Sequence, residues 1–259
     1  KIHKNKMRDK YCIVKTSVAP LYSKPNFKSE LISQSLIWEK LYIIKKNKNW
    51  YKVKQWDNYV SWIHSSYISN NNINIDYKKD YGWFFLNKTI IKKELLLSFG
   101  SLMPFKKIND NGDFYMLLPD LSKVQINKKY LISVKHLLNS DDLINFALTL
   151  KGIPYLWGGK SSFGYDCSGF IQSLIRLKGI NFPRDCSDQT KSKLIESKSI
   201  EGIKKCDLIY FKENSIFTHV GLFINSVEFI HCSGEVKINS INKNNKFYCS
   251  NLSELEFSI

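Results

Sequence analysis

The apolar pattern of this chain changes near residue 135. Before that point, short runs rich in β-branched and aromatic residues alternate with polar turns, as is typical of small antiparallel sheets. After it, residues 133–152 and 168–179 carry apolar residues at helical spacing, with Ser140 as the candidate N-cap of the first helix, and three strand-like runs follow. Helices followed by strands predict a segregated α+β domain, preceded by an all-β half.

The all-β half divides at a polar stretch. Residues 11–68 form several short strand-like runs, which suit a small barrel of about 60 residues. Residues 71–80 lack apolar periodicity and are interpreted as a linker. The runs from 80 to 132, with a turn at residues 109–112, repeat the layout of the first set. Two related small barrels are therefore predicted.

Composition limits the function classes. The 259-residue chain is 43% hydrophobic and 14% aromatic, enough to build buried cores. Its net charge is +16, but the lysines are scattered and no zinc-finger spacing or basic helix is present. The charge is interpreted mainly as a solvated basic surface with nonspecific attraction to anionic polymers. No specific nucleic-acid partner is expected.

The six cysteines fit neither a dense disulfide framework nor a zinc-binding spacing. Cys206 and Cys232 lie in apolar strand-like runs and are interpreted as core thiols. No run is long enough to span a membrane, and the first residues lack the apolar core of a signal peptide. Since the chain begins at Lys1 rather than methionine, localisation stays open.

Cys167 is the candidate nucleophile. It directly precedes a helical pattern, where the positive end of the helix dipole favours the thiolate. His219 opens one strand-like run and His231 lies near the end of the next. A turn at residues 225–226 would bring the histidines side by side across a hairpin, one as base and the other as its orienting partner. Either histidine alone would be an ordinary hydrogen-bonded strand residue.

The segments that carry these residues resemble the NlpC/p60 family of cell-wall peptidases. The resemblance lies in YLWGGKSSFGYDCSGFIQSLIRLKGINFPRDCSDQ, GIKKCDLIYF, HVGLFI and FIHCSG. It implies a papain-like fold, with Cys167 as nucleophile, His219 as base and His231 as orienting residue. It also implies cleavage of amide bonds in peptidoglycan stem peptides, commonly between D-glutamate and a diamino acid.

The upstream half resembles a narrower group, the γ-D-glutamyl-L-diamino acid endopeptidases of the dipeptidyl-peptidase VI type. That likeness implies two bacterial SH3-like barrels, at 1–70 and, with the linker, 71–133, before a catalytic domain at 134–259. It also implies that Asp166 and Ser168 hold the free amine of an N-terminal L-alanine. Tyr59, in WDNYVSWI, would close the substrate pocket, although Val60 replaces the group's small residue there.

Other residues near the thiol carry weaker signals. Trp157, with the two glycines after it, is expected to shape the loop that faces the thiol, because glycine permits close backbone approach. Arg184 and Asp185 could meet a substrate carboxylate, but a surface ion pair is favoured. His64 and His136 have no partner pattern.

The resulting hypothesis is a cysteine amidase acting on small muropeptides, without a metal or organic cofactor. One alternative is an endopeptidase acting on intact wall, with the barrels binding peptidoglycan. Another is a noncatalytic peptidoglycan-binding module, and lipid acyl transfer ranks last. A cytoplasmic location is favoured for muropeptide recycling. A periplasmic or extracellular one follows if a leader has been removed.

Overall fold

The computed structural model describes residues 10–69, 81–92, 95–108, 112–134, 138–253 and 255–259. The linker expected at 71–80 lies outside the described residues. So do His136 and most of the turn expected at 109–112.

The first β unit is a seven-stranded sheet whose strands are ordered β3-β2-β6-β5-β4-β1-β7. Its strands are β1 (Tyr11–Val14), β2 (Val18–Tyr22), β3 (Leu31–Leu36), β4 (Lys40–Asn47), β5 (Trp50–Lys54), β6 (Val60–His64) and β7 (Ile68–Ser69). A 3₁₀ turn at Ser65–Tyr67 precedes the last strand. Apolar residues at alternate positions, such as Ala19 and Leu21, point into its core.

The second β unit contains a five-stranded sheet of order β13-β12-β11-β8-β14 and a separate β9–β10 hairpin. Its strands are β8 (Gly82–Leu86), β9 (Ile90–Lys92), β10 (Leu95–Leu97), β11 (Leu102–Lys107), β12 (Asp113–Leu117), β13 (Lys123–Asn127) and β14 (Leu131–Ser133). Here too a 3₁₀ turn, Lys128–Tyr130, precedes the last strand.

The two β units share one pairing scheme. In the first, β1 pairs with β4 and β7, and β4, β5 and β6 follow in order. In the second, β8 pairs with β11 and β14, and β11, β12 and β13 follow in order. The side chains of His64 and Asn127 cap the equivalent 3₁₀ turns. The two units therefore have the same strand pairing around β1 and β8.

Closed barrels, in contrast, are not confirmed. Across the described residues, the pairing order of each sheet is open, with β3 and β7 as the ends of the first and β13 and β14 as the ends of the second. The end strands β7 and β14 are short, at two and three residues.

The C-terminal unit has mixed α/β content in which a five-stranded antiparallel sheet, ordered β20-β19-β18-β17-β21, supports the helices. Its elements are α1 (Ser140–Thr149), β15 (Lys160–Ser161), β16 (Gly164–Tyr165), α2 (Cys167–Arg176), α3 (Cys186–Gln189), β17 (Leu208–Glu213), β18 (Ile216–Phe223), β19 (Glu228–Ser233), β20 (Glu235–Ser240), α4 (Ser250–Ser253) and β21 (Glu256–Ser258). This arrangement confirms the predicted order of helices before an antiparallel sheet.

Two boundaries differ from the sequence-based expectation. The cap of α1 is Asn139, whose side chain accepts from the Asp142 N–H at 2.8 Å, so the helix begins at Ser140 rather than after it. The strand β18 begins at Ile216, so His219 lies within the strand rather than at its start.

Candidate active site

Cys167 is the first residue of α2, where the end of the β15–β16 hairpin delivers it to the helix N-terminus. The Asp166 carboxylate caps the helix by accepting from the Gly169 N–H at 2.7 Å. A hydrogen bond from Cys186 lowers the pKa of Cys167 most, followed by the neighbouring His219. Together they outweigh the opposing effects of burial and of Asp166. The site therefore favours the thiolate, which is the reactive form.

The two candidate histidines touch. The β18–β19 hairpin places His231 opposite Gly221, two residues along from His219. This diagonal arrangement brings His219 Nε2 to 2.7 Å from His231 Nδ1. The predicted contact between the histidines across a hairpin is therefore present.

Asn239 extends this chain of contacts and was missed in the sequence. Its Oδ1 lies 2.7 Å from His231 Nε2, while its Nδ2 donates to the Phe247 carbonyl at 2.9 Å. The second bond fixes which end of the amide faces the histidine. Only the strand register, with Asn239 on β20 beside Phe229 on β19, could have revealed it.

The hydrogen bonds determine the histidine tautomers. Because Asn239 Oδ1 only accepts, His231 Nε2 must donate, and its Nδ1 is left as an acceptor. Burial, helped by the charge of His219, lowers the pKa of His231 to about 3, so this ring stays neutral. His219 Nε2 then donates to His231, so Nδ1 is the unprotonated nitrogen of the neutral His219 ring.

Arg184 corrects an expectation from the sequence. Rather than forming a surface ion pair, it is buried, at 2% exposure. Arg184 donates two hydrogen bonds to the Asp166 carboxylate, from Nη1 at 3.0 Å and from Nη2 at 2.5 Å. Its Nη1 also donates to Ser168 Oγ at 3.0 Å. Its Nε also reaches Ser33 of the first β unit. Such a fork neutralises a carboxylate that would otherwise disfavour a thiolate beside it.

A cavity of about 550 Å³ opens over the thiol. Five residues predicted for the site line the cavity: Cys167, Asp166, Ser168, Tyr59 and Trp157. The two predicted histidines do not line it, although His219 is close enough to lower the pKa of Cys167. The first β unit contributes Glu30, Ile32 and Tyr59 to the wall. A tyrosine far away in sequence therefore shares a cavity with the candidate nucleophile.

Tyr59 is held in place by an acid. Its hydroxyl donates to Asp185 Oδ2 at 2.9 Å. Burial raises the pKa of Asp185, although the bond from Tyr59 and the charge of Arg184 oppose the rise. Burial and the nearby Asp185 also raise the pKa of Tyr59, so its hydroxyl stays protonated. Asp185 is thus an acid in the cavity wall for which a cationic ligand would be a stabilising partner.

The loop before the thiol meets the first β unit closely. Trp157 is 62% exposed and donates from Nε1 to Glu30 Oε1 at 2.9 Å. Gly158 has a φ of +72°, and a Cβ there would lie 2.4 Å from the Leu31 carbonyl oxygen. Only glycine permits both this conformation and this approach, which fits the expected role of the loop.

Two absences concern the part of the chain that the structure describes. There, no group of three or more His, Cys, Asp or Glu side chains is placed to bind a metal ion. None of its helices has the length and apolar character needed to cross a membrane.

A thiol at a helix start, beside a cavity and close to one of two hydrogen-bonded histidines, suits nucleophilic catalysis by cysteine. Residues 152–253 match the model of the NlpC/P60 family. This segment, which is less than half of the chain, is therefore similar to the NlpC/P60 family of cysteine peptidases.

Curated relatives extend the match beyond this domain. The chain is 26% identical over 227 residues to a gamma-D-glutamyl-L-lysine dipeptidyl-peptidase of Bacillus cereus, covering 78% of this chain and 67% of that protein. It is 30% identical over 158 residues to the Bacillus subtilis protein of the same name, covering 57% and 50%. The matched segment thus spans only half to two thirds of these relatives.

Solved structures share the fold. An NlpC/P60 family protein from Bacillus cereus superposes with a TM-score of 0.82 at 21% identity, covering 96% of this chain and 98% of that one. An NlpC/P60 endopeptidase from Photobacterium damselae superposes with a TM-score of 0.68 at 17% identity, covering 97% and 72%. The arrangement of both β units with the C-terminal unit therefore recurs in other proteins.

Proposed function

We propose that this chain hydrolyses the γ-D-glutamyl–diamino acid bond of peptidoglycan stem peptides that bear a free N-terminal L-alanine. The observation that carries the proposal is that Tyr59 and Asp185 share one cavity with Cys167. The names of the Bacillus relatives support the bond, because a dipeptidyl-peptidase releases a dipeptide from a free amino end. The particular diamino acid is left open.

The chemistry follows from the thiol and the histidine pair. His219 Nδ1 takes the proton of the Cys167 thiol, and the resulting thiolate attacks the γ-carbonyl carbon of D-glutamate. The same proton then passes from Nδ1 to the leaving amine as the C–N bond breaks. Water then attacks the thioester, with His219 accepting its proton and the thiolate leaving. His231 keeps His219 in the productive tautomer, and Asn239 does the same for His231.

The oxyanion that develops on the attacked carbonyl group needs hydrogen-bond donors. The free backbone N–H groups at the start of α2 supply one set. Tyr155 supplies a second, since it lines the cavity and burial, with the charge of Cys167, raises the pKa of its hydroxyl and keeps it protonated.

The substrate's ammonium group would bind among the acids of the cavity wall. Asp166 and Ser168 remain part of this proposal, although Arg184 already occupies both. Asp185 and Glu30 add carboxylates that lack a guanidinium partner of this kind. The ammonium would therefore be held mainly by Asp185, with Tyr59 closing the cavity behind it.

The domain organisation belongs to the same proposal. Residues 1–70 and 71–133 would be two SH3-like modules, and residues 134–259 the catalytic domain with a papain-like fold. The shared pairing scheme and the matching 3₁₀ turns before the last strands support two related modules.

The test compares two substrates. Purified protein is incubated with free L-Ala-γ-D-Glu-L-Lys and, separately, with intact sacculi, and released products are identified by mass spectrometry. We expect cleavage of the tripeptide to L-Ala-γ-D-Glu and lysine, with little release from sacculi. Release from sacculi without preference for the tripeptide would support a wall-acting enzyme instead.

The matched variants are Cys167→Ala and Cys206→Ala. The first removes the nucleophile, whereas the second removes a half-buried thiol whose Sγ contacts the Ser140 carbonyl instead. Loss of activity in the first alone supports the proposal. Unchanged activity in Cys167→Ala would contradict it and favour a noncatalytic module.

A further inference from the structure

A second thiol lies against the candidate nucleophile. The Sγ atoms of Cys167 and Cys186 are 3.9 Å apart, and both cysteines are free. Each is the first residue of a helix, Cys167 of α2 and Cys186 of α3. Both line the same cavity, at 7% and 8% exposure, so a small solute that reaches one thiol reaches the other. The proposed hydrolysis uses only one of them.

The geometry points to a reversible disulfide: we propose that Cys186 is a resolving thiol that captures Cys167 after oxidation by a hydroperoxide. A disulfide bond measures about 2.04 Å, so the two sulfurs must approach each other by about 1.9 Å through rotation of the two side chains. The product would cover the nucleophile, prevent acyl transfer and be reopened by a dithiol. This last consequence rests on the proposed function, whereas formation of the bond does not.

Oxidation begins on Cys167. Its thiolate attacks one peroxide oxygen; an S–O bond forms, the O–O bond breaks, and the leaving oxygen takes a proton from solvent. Sulfur is oxidised to a sulfenic acid, and hydrogen peroxide is reduced to water. Cys167 is the first target because the neighbouring Cys186 and His219 lower its pKa, while the pKa of Cys186 is raised by the Cys167 thiolate and by burial.

Oxidation then frees Cys186 to react. A sulfenic acid is uncharged at sulfur, so the neighbouring anion that holds the proton on Cys186 is lost. The Cys186 sulfur attacks the Cys167 sulfur; an S–S bond forms, the S–O bond breaks, and hydroxide leaves with the Cys186 proton as water. The sum is two thiols and one hydrogen peroxide giving one disulfide and two waters.

Loss of the resolving thiol would change the product that oxidation leaves on Cys167. Without Cys186, the sulfenic acid at Cys167 remains open to a second peroxide, which yields an irreversible sulfinic acid. The disulfide would thus inhibit the nucleophile reversibly and also protect it from irreversible oxidation. Nearby Cys232 offers no substitute, because its thiol is fully buried and donates to the Tyr165 carbonyl at 3.1 Å.

The experiment treats the full chain with hydrogen peroxide and then with dithiothreitol. Wild type, Cys186→Ser, Cys186→Ala and the control Cys206→Ser are compared by peptide mass mapping and by tripeptide hydrolysis, each relative to its own untreated sample. We expect a Cys167–Cys186 cross-linked peptide and at least tenfold recovery of activity by dithiothreitol in wild type and control. Both Cys186 variants should retain a mass gain of two oxygens at Cys167 and recover no activity.

Two results would overturn the proposal. One is a Cys167 sulfinic acid in wild type without the cross-link. The other is full recovery of the Cys186 variants by dithiothreitol. Mass mapping separates this proposal from the proposed function, because a cross-link formed in a protein that cleaves no tripeptide would support the former and contradict the latter.

Discussion

The two β units share a pairing scheme but meet the C-terminal unit in different ways. The first makes polar contacts around the thiol cavity, such as Tyr59 with Asp185. Apolar side chains of the second unit pack into the core of the C-terminal unit. One of them is Phe99, which is 1% exposed. Among the described residues, none of the second unit lines the thiol cavity, and none of the first belongs to that core cluster.

This contrast indicates how one topology can serve two purposes. An apolar contact stabilises the fold by removing surface from water, and it contributes nothing to substrate recognition. A polar contact beside a cavity places donors and charges where a ligand binds, at little gain in stability. The second unit is thus expected to stabilise the enzyme, and the first to define its substrate.

The largest effect is expected from Phe99→Ala in the second unit. Emptying a buried phenylalanine site in a shared core should lower the free energy of unfolding by about 3–5 kcal/mol. Chemical denaturation measures this, with Tyr115→Ala, at 39% exposure in the same unit, as the control. A change of under 1 kcal/mol would mean that the second unit is not part of the core. At temperatures where the variant stays folded, kcat/KM should be nearly unchanged.

A smaller effect is expected from Tyr59→Phe in the first unit. Without the hydroxyl, the Asp185 carboxylate loses its 2.9 Å donor, and the proposed amine site is disordered. A penalty of about 1–3 kcal/mol corresponds to a loss of about 5- to 150-fold in kcat/KM for the tripeptide. Tyr115→Phe in the second unit should leave the kinetics unchanged. Equal losses of kcat/KM in Tyr59→Phe and Tyr115→Phe would contradict the proposal that only the first unit defines the substrate.

The smallest effect is on pH dependence. Burial raises the pKa of Asp185, so amine binding should weaken, and KM rise, as pH falls through a range where an ordinary aspartate is still charged. The Tyr59 hydroxyl favours the charged carboxylate of Asp185, so Tyr59→Phe should raise the pKa of Asp185 and move this rise in KM to higher pH. Profiles of KM against pH measure the shift. A rise that moves to lower pH would show that Tyr59 does not stabilise the charged form.

The sequence revealed what is local to the site. A helix-start cysteine and two histidines on adjacent strands need only helix periodicity and a hairpin to bring them together. Arg184 could not be found this way, since its pairing with Asp166 depends on how a long loop folds back over the helix start. Asn239 depends on strand register, and the openness of the sheets depends on edge pairing that no local pattern encodes.

The central claim is that the first β unit closes the thiol cavity around a free amine. It is tested most directly by the ratio of kcat/KM for L-Ala-γ-D-Glu-L-Lys to that for its N-acetylated form. Acetylation removes the positive charge that Asp185 would bind and adds bulk next to Tyr59. The account predicts a ratio of at least about 100, comparable to losing a buried charge pair. A ratio near one, with Cys167 still required, would contradict it.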